Sequence, residues 1–214
     1  MLAIAGAPHG TLVTAAEQTA GRGRQGRSWT APPGSALLCS LVLRDPPALL
    51  SLIAGVAACD AIGEHARVKW PNDIVVEPDL GKLAGILVEG RPQDGWAVLG
   101  IGVNVAVRVE ELPTEVRPGA ASLELSASAI EPLLADLLVA FTRRLAEPAD
   151  ALLEAWRTRD VLRGREITWT HPKGTRQGHG QAEGVDNEGR LLVLREDGTT
   201  TALSAGEVHF ESVG

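Results

Sequence analysis

Proline and glycine punctuation limits this chain more than any other feature of its sequence. Twenty-four glycines and thirteen prolines interrupt the apolar runs. Such residues end helices or mark turns, because they remove a backbone donor or cost backbone entropy. Between the interruptions, Thr11–Ala16 and Ala36–Leu43 read as strands, the second entered through Pro32-Pro33-Gly34 and left through Asp45-Pro46-Pro47. Val68–Trp70, Ile74–Glu77, Gly85–Glu89 and Trp96–Val103 follow as four more short strands. Ala48–His65 is dense in apolar residues without a clear stripe, the pattern of a buried helix. Leu133, Leu134, Leu137, Leu138 and Phe141 recur at helical spacing within Ile130–Leu145, with Ser128 as the candidate N-cap. Leu152, Leu153 and Trp156 do the same over Asp150–Asp160. The clustering predicts an α+β fold, a mixed β-sheet packed with helices.

After Arg163-Gly164 the texture changes. Glu166–Thr170, Gln181–Val185, Leu191–Arg195, Thr200–Leu203 and Val208–Phe210 are short strands, separated by Gly174, Asp186-Asn187-Glu188-Gly189 and Glu196-Asp197-Gly198. Strands of that length joined by such turns predict a small barrel. A boundary near Leu162 divides the chain into residues 1–162 and 163–214.

With 214 residues, 44% of them hydrophobic and 22% charged, the composition is that of a folded globular protein. The net charge of −7 argues against a nucleic-acid binder, which needs a basic face. No apolar run is long enough for a membrane span, no secretory signal is evident, and no internal repeat is found. Cys39 and Cys59 stand in apolar surroundings without a C-x-x-C spacing. They are expected to be buried and reduced rather than bridged or metal-bound, which fits the cytoplasm.

Four segments carry chemistry. Gly21-Arg22-Gly23-Arg24-Gln25-Gly26 satisfies the bare G-x-G-x-x-G dinucleotide pattern, yet that fold starts a helix at the third glycine. Pro32-Pro33-Gly34 arrives too soon for one, and no Gly-Lys-Ser/Thr follows to make a P-loop. What is left is a glycine-rich loop holding Arg22, Arg24 and Arg27 within six residues. Guanidinium forks pair bidentately with carboxylates and phosphates, so the loop is a candidate anion site; the plainer reading is a solvated basic loop. Lys69-Trp70-Pro71-Asn72-Asp73 sets two ionic residues and an amide around a proline that turns a strand, and alone is compatible with an ordinary Asx turn. Lys82 stands at the mouth of a strand in Gly81-Lys82-Leu83-Ala84-Gly85-Ile86-Leu87-Val88-Glu89, where a plain surface lysine is the alternative. Gly100-Ile101-Gly102-Val103-Asn104 is a strand whose glycines admit close approach of a backbone or ligand, and it ends in an amide.

In this order and spacing the four segments resemble the biotin–protein ligase family, within the biotin/lipoate ligase superfamily. The family patterns Q-x-x-G-R-G-R-x-G-R-x-W, K-W-P-N-D, K-L-x-G-I-L-x-E and G-x-G-x-N stand here as Gln18 to Trp29, Lys69 to Asp73, Lys82 to Glu89 and Gly100 to Asn104. The resemblance implies a class II synthetase-like catalytic domain with a C-terminal SH3-like barrel. It also implies two-step chemistry with ATP and Mg2+. Biotin's carboxylate attacks the α-phosphorus of ATP to give biotinyl-AMP, and a lysine of a biotin carboxyl carrier domain, of the acetyl-CoA carboxylase type, then displaces AMP. Positioned cations matter more in such steps than a strong base, and no histidine in the four segments is placed to act as one.

By position, the resemblance makes Gln18 a contact for biotin's polar end. Arg22 and Arg24, set among Gly21 and Gly23, become the loop arginines that close over biotin and its adenylate. Lys82 becomes the lysine on the carboxylate and α-phosphate oxygens, so that Lys82 and Arg24 are the expected catalytic pair. Gly85 lines the biotin pocket, and Asn72, Asp73 and Asn104 serve the nucleotide and Mg2+; no metal site built from protein ligands alone is expected. Trp29 is either an apolar wall beside the ligand or a loop-anchoring core residue. The family's Ser-Thr-Asn segment ahead of the first strand is not found in this sequence, which opens Met1-Leu2-Ala3-Ile4-Ala5-Gly6. No DNA partner, and hence no repressor role, is expected. A lipoate–protein ligase-like enzyme and a truncated, non-catalytic biotin- or adenylate-binding protein are the rival readings, and pairing as a homodimer stays open.

Overall fold

The computed structural model describes residues 2–91, 94–170 and 177–210. Its first six strands are β1 (Leu12–Thr14), β2 (Ala36–Arg44), β3 (Ala66–Lys69), β4 (Asp73–Val76), β5 (Gly81–Arg91) and β6 (Trp96–Asn104), joined in one sheet in the order β1-β2-β6-β5-β4-β3. Every pairing between these strands is antiparallel. Parallel pairing among the described residues is confined to the isolated bridges Val68–Asp160 and Lys82–Ala120. β6 shows why the sheet has two different faces. Ala97, Leu99, Ile101 and Val103 are buried, while Val98, Gly100 and Gly102 between them are partly open; strict alternation puts the core on one face only.

The core face is covered by α1 (Leu50–Ile62), buried at Leu50 and from Leu52 to Cys59. It is buried all round because α2 (Ile130–Leu145) and α3 (Ala149–Arg157) cover its other side. In α2 the apolar stripe Leu133, Leu137, Ala140 and Phe141 faces inward. The helix is capped by Ala129 rather than by Ser128, whose hydroxyl lies 2.6 Å from that of Ser126 in a 3-10 turn leading into it. Near the end of α1, Asp60 gathers Arg143, Arg144 and Arg159, each with a guanidinium nitrogen 2.7 Å from its carboxylate. Burial alone would raise the Asp60 pKa; the Arg144 hydrogen bond and the charges of Arg144 and Arg159 outweigh it and hold the group below the usual carboxylate range. Cys39 and Cys59 are free and buried, their thiols pushed up to about 11 and about 12 by burial.

The second sheet contains β7 (Glu166–Thr170), β8 (Gln177–Val185), β9 (Leu191–Leu194), β10 (Thr200–Leu203) and β11 (Glu207–Phe210), all antiparallel, in the order β10-β9-β8-β7-β11. The expected turn at Asp186 is closed by its own carboxylate, which accepts from the backbone N–H groups of Glu188 and Arg190. Gly174, expected in another turn, lies outside the described residues. Ile167, Trp169, Ala182, Leu191 and Val193 belong to the same apolar cluster as α1 and the first sheet, so the two sheets share one core. Trp70 Nε1 donates to Gly189 O at 3.0 Å and ties them further. No helix among the described residues is long and apolar enough to cross a membrane.

Asp160 stands between the two sheets. One carboxylate oxygen accepts from Leu162 N at 2.9 Å, and the other is buried without a hydrogen-bond partner. Burial raises this carboxyl to about 6, against the lowering influence of the Leu162 N–H and the Arg163 charge. A folded-state pKa above the unfolded value of about 3.9 means that protonation of Asp160 favours folding fully below about pH 4, and that this contribution disappears as pH rises through about 6. Asp160→Asn is therefore expected to raise the melting temperature near pH 8, to keep about half of that advantage near pH 5 and to lose it towards about pH 4. Thermal unfolding of both proteins across this range checks the expectation, and a gap independent of pH refutes it.

Candidate functional site

The open face of the first sheet is the floor of a cavity of about 1060 Å³. Its residues stand in register across four strands: Leu38 pairs with Gly102, Gly102 with Gly85, and Gly85 with Asp73. The next row is Ser40, Gly100 and Leu87. The walls come from residues of the 18–30 segment, the β3–β4 turn, the 112–120 segment and β11 of the second sheet.

The two glycines of the central row leave the floor bare, and Trp29 occupies it. A Cβ on Gly102 would stand 2.7 Å from Trp29 Cε2, and one on Gly85 would stand 3.1 Å from Cζ3. The indole also packs against the apolar group of Ala36, Leu38, Val107 and Leu112. The indole lines the cavity and packs at the end of the loop that precedes it. Its Nε1 is buried with no hydrogen-bond partner.

Lys82 reaches the same face through an irregularity in the ladder. Ile74 pairs with Ala84 but Val75 pairs with Lys82, so Leu83 is an extra residue in β5. In a regular strand Lys82 and Gly85, three apart, would point to opposite faces; the bulge brings them to one. Leu83 and Ala84 are both buried on the other side. Lys82 Nζ then lies 2.7 Å from Asp73 Oδ1 and 5.8 Å from the centroid of the Trp29 ring.

The arginine loop is no helix. Arg24–Gly26 makes a single 3-10 turn, Gly23 N donates to Arg27 O at 2.7 Å, and Arg22 bridges Ser28. At its base Trp29 N donates to Gly21 O at 3.0 Å, an approach that only glycine permits, because a Cβ on Gly21 would lie 2.3 Å from Trp29 O. Each arginine is held by a different element. Arg22 meets Glu89 of β5 at 3.1 Å, Arg24 donates to Asn72 Oδ1 at 3.2 Å in the β3–β4 turn, and Arg27 pairs with Glu207 of β11. Burial lowers the Arg24 pKa, and the Asp73 charge opposes that shift.

The remaining sequence-selected residues fall as follows. Gln18 is exposed on the cavity rim, and Gly23 lines the cavity. Gly21 lines a smaller recess of about 610 Å³ between the loop and Leu87 and Glu89. Asn72 is engaged at both ends of its amide, with Oδ1 holding Arg24 and Nδ2 donating to Ile86 O at 2.7 Å. Its geometry makes it a support for Arg24. Asn104 is 5% exposed and donates Nδ2 to Ala121 O at 2.9 Å, while its Oδ1 is buried without a partner. A buried acceptor left in that state costs free energy until a donor or cation meets it. Among the described residues no group of three or more His, Cys, Asp or Glu could hold a metal ion.

Sequence reasoning missed one wall. Arg165, Glu207, His209 and Phe210 of the second sheet line the cavity, although that part of the chain offers no motif. Lys69 Nζ stands 4.7 Å from the Phe210 ring centroid, and the Arg165 guanidinium stands 5.3 Å from it. Burial lowers the Lys69 pKa; the Asp73 charge resists, while the Lys82 and Arg27 charges add to the lowering. His209 is lowered by burial, then by Lys69 and Arg27. The one signal that could have pointed here is Glu207-Val208-His209, two titratable residues set two apart on a strand and so on one face.

Residues 2–105 match the biotin/lipoate A/B protein ligase family, and residues 164–210 match the biotin protein ligase C-terminal domain. The biotin--[acetyl-CoA-carboxylase] ligase of Mycobacterium tuberculosis is 35% identical over 219 residues, covering 93% of this chain and 78% of that protein. The enzyme of the same name from Paracoccus denitrificans is 35% identical over 222 residues, covering 92% and 89%. The bifunctional ligase/repressor BirA of Bacillus subtilis is 32% identical over 228 residues, covering 95% of this chain and 67% of its own length. In fold, the chain is similar to the biotin protein ligase of Aquifex aeolicus in complex with biotin and ATP, with a TM-score of 0.83 and 23% identity over 98% of this chain and 93% of that one.

Gly102→Ala is expected to push the indole off the floor and to cost about 1–3 kcal/mol in urea unfolding. In a Trp29→Ala background the same change should cost close to nothing, because the clash has gone. Equal costs in the two backgrounds would mean that Trp29 does not rest on this glycine.

Proposed function

The chain belongs to the biotin–protein ligase family, and from that premise we propose that it joins biotin to ATP as biotinyl-AMP and passes the biotin to a lysine of a biotin carboxyl carrier domain. The observation that carries this reading is convergence. Arg24, Lys82 and Trp29, its indole seated on Gly85 and Gly102, meet in one cavity, so an apolar surface lies beside the cations that a carboxylate and a phosphate need. Residues 1–162 act in this reading as the catalytic unit and 163–214 as the C-terminal one. The setting is cytoplasmic, and the macromolecular partner is a protein rather than DNA, in keeping with a net charge of −7.

In the first step a biotin carboxylate oxygen bonds to the α-phosphorus of ATP and pyrophosphate leaves. Negative charge passes through the phosphoryl oxygens, where Lys82 and Arg24 lower the barrier by being already in place. Asp73, 2.7 Å from Lys82 Nζ, aims that ammonium. Trp29 and Gly85 flank the apolar part of biotin, Gln18 meets its polar end, and Arg22 and Arg24 close over the adenylate on a loop that Gly21 and Gly23 allow to fold back. In the second step the carrier lysine's amine attacks the acyl carbon and AMP leaves.

Mg2+ is bound in nucleotide sites by one or two protein oxygens together with substrate phosphates. Asp73 and the unpartnered Asn104 Oδ1 are the oxygens here that would hold it, and it would supply neutralisation of phosphate charge. The family that matches residues 2–105 includes lipoate as well as biotin ligases. The intact set of Lys82, Arg22 and Arg24 supports an enzyme over a non-catalytic binder.

Pyrophosphate release is expected with biotin and ATP and not with lipoate and ATP, with intact-mass biotinylation of a carrier domain as the second readout; release with lipoate alone overturns the assignment. Lys82→Ala should lower the adenylation rate by about 10²–10³, the scale of losing one charge-stabilising donor; near-normal release removes Lys82 from the mechanism. Neutralising Arg24 should let free biotinyl-AMP escape, which a trapping assay with a nucleophile reads directly. Retention equal to that of the unaltered protein removes Arg24 from the loop's closing role.

A further inference from the structure

The arginine loop is pinned at three points, and one of them belongs to the other sheet. Arg22 and Arg24 are held by Glu89 and Asn72 of the first sheet and its turn, but Arg27 is held by Glu207 of β11. The loop has few other restraints before Trp29. Arg22, Gln25, Gly26, Arg27 and Ser28 are all exposed, and its internal bonds are those of one turn. A segment with so little buried contact opens at small free-energy cost, so each pin weighs heavily.

The two partners are unequal. The Glu207 side chain is 25% exposed and sits on a strand paired to β7 through Thr170, whereas the Arg27 side chain is 63% exposed and sits on the loop. The carboxylate is therefore the fixed member and the guanidinium the captured one. The surroundings make the capture necessary. Lys69 lies beside the same strand over Phe210, and its charge and that of Arg27 both bear on His209. Like charges gathered at one corner repel; the Asp73 charge bears on Lys69, and Glu207 is the carboxylate of β11 that meets Arg27.

We propose that Glu207 is a positioning residue: by holding Arg27 it keeps the 22–28 loop against the cavity, so that the second sheet sets how often the loop is closed. The consequence for catalysis rests on the ligase reading above. The closure itself does not, because it can be read without any substrate.

Trypsin cleaves after arginine, so the loop carries its own probe. In Glu207→Gln, cleavage after Arg22, Arg24 and Arg27, mapped by mass spectrometry, is expected to run about threefold faster than in the unaltered protein, with the melting temperature unchanged. Added salt, with a free peptide of the loop sequence as reference, should raise loop cleavage by a larger factor in the unaltered protein than in the variant, where the exposed Arg22–Glu89 pair is the ion pair left to screen. Loop cleavage that does not change overturns the proposal. Faster cleavage throughout the chain with a lower melting temperature also overturns it, since Glu207 would then support only the fold. In the catalytic assay, KM for ATP should rise by a larger factor than kcat falls, as expected when the closed state is less populated. If the unaltered protein releases no pyrophosphate, the ligase reading fails while the proteolysis still decides whether Glu207 holds the loop.

Discussion

The seating of the Trp29 indole on Gly85 and Gly102 is the contact on which the rest of the site depends. A fully buried indole removes on the order of 150–250 Å² from water, about 4–6 kcal/mol at the usual transfer coefficient, and Trp29 is partly buried. Even half of that exceeds what each partly exposed arginine pair supplies, about 0.2–1 kcal/mol. Apolar packing therefore decides where the loop lies, and the ion pairs decide only how tightly it stays. Gly21 belongs to the same arrangement, since it lets the backbone of the loop's entry close onto that of Trp29. With the base fixed there, a six-residue span from Arg22 to Arg27 has little choice but to arch over the cavity.

The cavity is also where this fold tolerates groups it would satisfy elsewhere. Four buried side-chain polar atoms among the described residues have no hydrogen-bond partner, and three of them, on Trp29, Asp73 and Asn104, belong to residues that line the cavity. Asp73 Oδ1 does have Lys82 Nζ at 2.7 Å, a close ion pair that lacks the alignment of a hydrogen bond; the short separation is the physically decisive fact. Unsatisfied donors and acceptors concentrated at one place are the cost of a surface meant to meet a polar ligand.

Local pattern revealed the central sheet because β6 buries alternate residues, because β2 is a nearly continuous apolar run between Pro/Gly interruptions, and because α2 repeats its apolar residues at helical spacing. All four segments contribute residues to the one cavity on the open face of that sheet. Where the reading fell short, one local rule had been broken. β5 begins at Gly81 rather than Gly85 because the extra Leu83 interrupts the alternation that marks a strand. β8 begins at Gln177 rather than Gln181 because Gly178 and Gly180 carry no side chain to show a period, and Gly178 is bare so that Trp169 can lie on it. The absence of a helix after Gly26, in contrast, was legible from Pro32-Pro33-Gly34 alone. The pairing of Glu207 with Arg27 was not legible, since the two lie 180 residues apart and the Glu207-Val208-His209 spacing marks only a shared strand face.

The shared core explains why a second sheet can take part in the site at all. Trp169, Ile167 and Leu191 are buried in the same cluster as Ile53 and Leu83, so β11 is fixed relative to the first sheet by packing rather than by its few polar contacts. That rigidity is what makes a cation over an aromatic ring useful. Lys69 gives up water on one side and receives the face of Phe210 in its place, an exchange worth about 0.5–2 kcal/mol only when the ring is already positioned. The first sheet thus presents Lys69, Lys82 and the arginine loop, while the second supplies the ring and the carboxylate that keep such a concentration of positive charge from dispersing into solvent. Neither sheet does all of this alone, because Asp73, Glu89 and Asn72 of the first steady Lys82, Arg22 and Arg24, while Glu207 and Phe210 of the second meet Arg27 and Lys69.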